Sequence, residues 1–138
     1  MTERVNIKRF EEELLLLEST SPSYVLMASH AMNVKILEEH GEMLMRSWIK
    51  DLGDFRSTEK KREQDEGGVR LVELPGSDLT KIVLDFSDAG MDAEEGEKRF
   101  IEAGVYPEFS SGDIMLLMTG IGNVPEDYEL LVDAIKSI

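Results

Sequence analysis

The sequence contains no cysteine, which excludes disulfides, thiolate metal sites and a cysteine nucleophile together. That composition suits a reducing compartment, and a cytoplasmic location is expected. Long apolar runs are also missing: no stretch approaches the roughly 20 residues a membrane helix needs. The opening residues Met1-Thr2-Glu3-Arg4-Val5-Asn6 lack the apolar segment of a secretory signal. Basic charge is scarce, 15 Lys and Arg against 29 Asp and Glu for a net charge of -14. Such a chain repels a phosphate backbone and offers no counterion-releasing patch, so nucleic acid is excluded as a partner. Histidine is limited to His30 and His40, whose separation is not the i, i+3 or i, i+4 spacing that sets two ligands on one helical face. No metal site is expected.

What is present begins with helix formers. From Ile7 to Glu18 the chain is rich in Glu and Leu, and Phe10, Leu14 and Leu17 fall on one face, predicting a short first helix. The run Ser19-Thr20-Ser21-Pro22-Ser23-Tyr24 breaks it, with Ser21 suited to cap a second helix and Pro22 to its first position. That helix carries Met27, Ala28, Ala31, Met32, Ile36 and Leu37 towards His40-Gly41, and the pattern resumes with Leu44, Trp48, Leu52 and Phe55. Its end, Arg56 to Glu66, is dense in charge and predicts a solvated tip.

Gly67-Gly68 is a break, and beyond it the periodicity turns strand-like. Strands are predicted over Val69–Leu74 and Lys81–Phe86. A helix follows, opened by Asp92 with Glu95 and stopped at Gly104. Val105–Phe109 and Ile114–Thr119 read as a hairpin across Ser110-Ser111-Gly112-Asp113. Asn123 with Glu126 is expected to cap a last helix carrying Val124, Tyr128, Leu131 and Ile135. The fold class is therefore α+β. Residues 1–66 form a helical segment with one long helix, and residues 67–138 a small, mostly antiparallel sheet of three to four strands covered by two helices.

Chemistry is harder to place. Ser19-Thr20-Ser21-Pro22 combines hydroxyls with helix-start N–H groups, an arrangement that can hold a phosphate, although capping alone accounts for it. Thr119-Gly120-Ile121-Gly122-Asn123 also opens a helix, yet it lacks a third glycine and a lysine, and Glu126 and Asp127 follow. The carboxylates Glu11-Glu12-Glu13, Glu38-Glu39 and Glu94-Glu95 fit solvated helix surface, because adjacent residues diverge on a helix. Lysines occur only in polar contexts, so no Schiff-base residue stands out and no catalytic residue is assigned.

Leu17-Glu18-Ser19-Thr20-Ser21-Pro22-Ser23-Tyr24-Val25-Leu26-Met27-Ala28-Ser29 closely resembles the segment that follows the cofactor-binding lysine in the Orn/Lys/Arg decarboxylase family. The resemblance continues through Asp78-Leu79-Thr80-Lys81-Ile82-Val83-Leu84, Gly104-Val105-Tyr106-Pro107-Glu108-Phe109 and Thr119-Gly120-Ile121-Gly122-Asn123-Val124-Pro125-Glu126-Asp127, in the family's order. It implies the C-terminal part of a fold type I, aminotransferase-like homodimer that uses pyridoxal phosphate (PLP). It further implies that Ser19, Thr20 and Ser21 approach the cofactor phosphate of the partner subunit. The family's Ser-x-His-Lys element and the aspartate that pairs with the pyridine nitrogen have no counterpart here, so the isolated chain is expected to bind no cofactor and to be inactive as a lyase.

Two readings result. The first is a truncated, non-catalytic C-terminal fragment of a PLP-dependent decarboxylase of lysine, ornithine or arginine. Its long helix exposes Val25, Met32, Ile36, Leu44, Trp48 and Phe55, which would be covered by self-association or by a complementary large-domain chain. The alternative is a stand-alone interaction or regulatory α+β module that uses the same helical face.

Overall fold

The computed structural model describes residues 5–18 and 21–138. They fall into two compact units, Met1–His40 and Gly41–Ile138. The first unit holds helix α1, Ile7–Leu17, and the beginning of helix α2, Tyr24–Glu66. Asn6 caps α1, its side-chain oxygen accepting from the Arg9 N–H at 3.1 Å. The predicted second helix and the pattern after Gly41 are one continuous α2. No proline interrupts it, and a helix-interior Gly costs only about 1 kcal/mol relative to Ala.

The second unit is built on a sheet of order β1-β2-β4-β3, with β1 Arg70–Leu71, β2 Lys81–Asp85, β3 Phe109–Ser111 and β4 Ile114–Met118. Every pairing is antiparallel. Helix α3, Ala93–Glu102, separates β2 from β3, and helix α4, Pro125–Lys136, closes the chain. The α+β class and the four-stranded sheet agree with the periodicity.

Alternation along the strands sends Ile82, Leu84, Met115 and Leu117 inward, since successive strand residues face opposite sides. They meet Ala93 and Phe100 of α3, Tyr128, Leu131, Ala134 and Ile135 of α4, and Leu52 and Phe55 of α2 in one core. Gly96 permits the close approach of α3 to β2: a Cβ there would lie 2.3 Å from the Phe86 ring.

Three local expectations are corrected. The first strand is shorter than Val69–Leu74, because beyond Leu71 only the Val72 N–H still reaches across, to the Val83 carbonyl at 2.8 Å. The hairpin shifts: Ser110 and Ser111 join the ladder and the turn shrinks to Gly112-Asp113. Gly112 at φ 58 supplies the left-handed first position of such a two-residue loop. Asn123 does not cap α4. The cap residue is Val124, whose N–H donates to the Asp127 carboxylate at 3.1 Å, while Pro125 occupies the first turn.

The charged end of α2 is not a solvated tip either. Arg56 and Glu59 are buried, Glu59 to 1 % exposure, because positions 52, 55, 56, 59, 62 and 63 repeat at helical spacing along the face turned to the sheet. Arg56 donates to Glu73 at 2.9 Å and to the carbonyls of Leu79 and Lys81 at 2.7 and 2.9 Å. Arg62 pairs with Glu59 at 2.8 Å and donates to the Gly67 and Val69 carbonyls. Glu63 accepts from the Leu71 N–H. These side chains satisfy backbone groups that the short β1 leaves without ladder partners.

Candidate functional site

The start of α2 is the segment singled out for phosphate contact. Ser19 and Thr20 lie outside the described residues, and Ser21 is exposed. The cap is Ser23 rather than Ser21. Its hydroxyl accepts from the Leu26 N–H at 3.4 Å and its carbonyl accepts from the Met27 N–H at 3.0 Å, which places Pro22 before the cap. The first turn of α2 carries no acidic side chain to offset the partial positive charge of the helix start. That chemistry suits the phosphate end of PLP.

The lysines bear on the ring end. A lysine that forms a Schiff base works desolvated or beside another cation, whereas every lysine here is exposed except the half-buried Lys81. Lys50 shows the opposite of activation: hydrogen bonding to Asp54, with the charge of Asp54 and Asp51, raises its pKa. Among the described residues no group of three or more His, Asp or Glu side chains is placed to hold a metal ion. His30 and His40 are both exposed.

In the second unit a groove of about 540 Å³ runs between α2 and α4. Phe55, Tyr128 and Val132 supply apolar wall, and Asp51, Asp54 and Asp133 line it with charge. Next to it lies a hydrogen-bonded junction that sequence reasoning missed. The Trp48 indole donates to the Thr119 hydroxyl at 3.1 Å, and that hydroxyl donates to the Thr80 carbonyl at 2.9 Å. Tyr128 packs on Phe55 with ring centroids 5.8 Å apart. Burial raises the pKa of its hydroxyl, which has no hydrogen-bond partner among the described residues. The junction ties α2, β2, β4 and α4 together and holds no nucleophile or base. The glycine loop beside it is closed on itself: the Gly120 N–H donates to the Asn123 side chain at 2.8 Å, and Asn123 donates to Asp127 at 2.9 Å. It presents no anion cradle.

The fold is shared with much larger enzymes. The constitutive lysine decarboxylase of E. coli matches with a TM-score of 0.75 at 16% identity, over 99% of this chain and 25% of that one. The lysine decarboxylase of Francisella novicida matches with a TM-score of 0.74 at 20% identity, over 99% of this chain and 24% of that one. A transaminase with L-alanine matches with a TM-score of 0.58 at 16% identity, over 99% of this chain and 34% of that one. This chain therefore spans about a quarter of the length of the two lysine decarboxylases. No curated protein matches by sequence. Residues 1–81, more than half of the chain, match the family model for the Orn/Lys/Arg decarboxylase major domain, and the chain belongs to the Orn/Lys/Arg decarboxylase family.

Proposed function

We propose that this chain is a C-terminal part of a PLP-dependent decarboxylase of basic amino acids, and that these 138 residues alone do not decarboxylate. The observation that carries the reading is the match of 99% of the chain to about a quarter of two lysine decarboxylases, together with its family membership. The exposure of the lysines and the absence of any His-Lys dipeptide from the sequence support the inactive half of the proposal.

When bound, PLP supplies an electron sink for the carbanion left by decarboxylation. On the side of this chain, Ser19, Thr20 and Ser21 would contact the phosphate of a cofactor held mainly by another subunit. The helix start, free of acidic residues in its first turn, would favour that anion electrostatically. Residues 67–138 would correspond to the family's small domain.

The apolar side chains of the first unit need cover. Leu17 is 85 % exposed and Val25 79 %, and neighbouring Leu16, Leu26 and Met27 are exposed too. Exposed apolar side chains in this number suit a protein interface. A complementary large-domain polypeptide of the same enzyme family is the occupant favoured here, in a homodimeric, cytoplasmic lyase. The same patch also favours the second reading, an interaction or regulatory module, in which the partner is a different protein and no cofactor is involved.

Titration of the purified chain with PLP, followed by borohydride reduction and peptide mass mapping, tests the proposal. No saturable lysine adduct is expected. Stoichiometric modification of one lysine, with release of carbon dioxide from lysine, ornithine or arginine, would overturn it. Adding a large-domain polypeptide separates the two readings, since only the decarboxylase reading predicts a complex that gains cofactor binding.

A further inference from the structure

We infer that the uncovered face of the sheet is a self-complementary surface on which a second copy of this chain seats, the two sheets packing face to face about a twofold axis that runs across the strands. This association does not depend on the decarboxylase reading.

The argument starts in β4, Ile114-Met115-Leu116-Leu117-Met118, which is apolar at every position. A strand with one wet face alternates apolar and polar residues, whereas a continuous apolar run belongs to a sheet covered on both faces. Met115 and Leu117 enter the core. The other three therefore point away from it, where Met118 is 52 % and Ile114 39 % exposed. On the edge strand Phe109 joins them at 56 %.

Register arranges these side chains symmetrically. Phe109 lies beside Leu116, and Leu116 beside Val83, which gives one apolar row across three strands. Two residues from Val83 in one direction is Lys81, beside Met118. Two residues in the other direction is Asp85, beside Ile114. All share the outward face, because the strand period is two. A twofold axis lying along the row sets Lys81 over Asp85 of the second copy and Met118 over its Ile114. An axis along β2 would instead oppose Lys81 to Lys81 and Asp85 to Asp85, and one midway between β2 and β4 would seat both charges on Met118 and Ile114. The charge pattern thus favours the axis along the row.

The two charged groups are able to take these roles. Lys81 makes no ion pair among the described residues. Asp85 accepts from the Ser87 N–H at 2.8 Å and from Arg70 at 2.9 Å, and a carboxylate with about four lone-pair sites retains room for a further donor.

Sedimentation velocity on the chain and its variants tests the inference. The chain is expected to sediment at twice its own mass, to keep that mass when Val25→Gln and Met32→Gln blunt the helical face, and to fall to a single chain with Met118→Lys. Because the protein lacks cysteine, Leu116→Cys, on the axis, should be cross-linked copy to copy by a short bis-maleimide, which spans the roughly 10 Å between face-to-face sheets that a disulfide cannot bridge. A single-chain mass at all concentrations overturns the inference. So does a doubled mass that survives Met118→Lys and is lost with the helical variants. Failure of Leu116→Cys to cross-link in a sample of doubled mass overturns the proposed axis.

Discussion

In the unit from Gly41 to Ile138, strand alternation and helix stripes converge on one core, in which Phe86 and Phe100 are the largest fully buried side chains. In the unit from Met1 to His40, every described residue is exposed, although the sequence there is at least as apolar. Both regions contain well-formed helices. Helix formation and burial are therefore separate outcomes: Glu, Leu, Ala and Met favour a helix wherever they occur, whereas burial needs a second surface of matching pattern. The second unit carries that surface within itself, in β2, β4, α3 and α4. Among the described residues the first unit does not, and its helices rest on helix propensity and exposed i, i+4 pairs such as Arg9–Glu13 at 3.7 Å.

The contrast sharpens first through Phe100. Truncation by Phe100→Ala removes a fully buried ring packed against Phe86, with centroids 6.2 Å apart, and should cost about 3–5 kcal/mol. Thermal or urea denaturation followed by near-UV circular dichroism would measure it. A loss below about 1 kcal/mol would mean that the second unit is no better consolidated than the first.

Arg56 comes next. It is a buried cation on a helix face, and Arg56→Ala removes its pairing with Glu73 and two carbonyl partners, at about 3 kcal/mol by analogy with other broken buried pairs. Its partner introduces a pH dependence. Hydrogen bonding to Lys60, then to Arg56, with their positive charges, holds Glu73 below its ordinary carboxylate value, against the opposing effect of burial. The folded state therefore binds the Glu73 proton less readily than the unfolded chain does. The stabilisation is complete above the ordinary carboxylate pKa of about 4.3 and is lost as pH falls through the lowered value. Glu73→Gln should flatten the stability profile below about pH 5 and leave its neutral-pH shape unchanged. An acid limb of equal steepness in both proteins would remove Glu73 from the explanation.

Much of this was legible in the sequence, for identifiable reasons. The α+β class, the Gly67-Gly68 break, the Asp92 cap, whose side chain accepts from the Glu95 N–H at 2.8 Å, and the hairpin all rest on local chemistry, and local chemistry is what a sequence displays. The misreadings concern side chains whose partners a local pattern does not display. Arg56, Glu59 and Arg62 looked solvated because charge usually is, yet their spacing from Leu52 and Phe55 already placed them on the buried face. Phe55 was grouped with an uncovered stripe but is 3 % exposed, packed on Tyr128. Asn123 lost the cap to Val124 because its side chain serves the Gly120 loop instead. Arg56 and Phe55 depended on partners distant in sequence, whereas Arg62 and Asn123 turned on nearby backbone groups that the chain path brings to them. The phosphate contact proposed for Ser19, Thr20 and Ser21 rests on family resemblance alone, since Ser and Pro at a helix start have an ordinary capping use.

The smallest effect is expected where the two units differ most. Val25→Gln in the first unit changes a side chain that is already exposed, and the stability of the isolated chain should move by less than about 0.5 kcal/mol. Such a change is smaller by several-fold than that from Phe100→Ala, although both replace an apolar residue on a helix. If the first unit is an interface for a large-domain polypeptide, the same substitution should weaken that complex by roughly tenfold, the equivalent of about 1.4 kcal/mol. Isothermal titration of the two polypeptides would read this. Stability unaffected and binding weakened would mark the patch as an interface; stability lowered by more than about 1 kcal/mol would show that residues 21–40 are consolidated within the chain after all, because a side chain facing water in both folded and unfolded states has little free energy to lose.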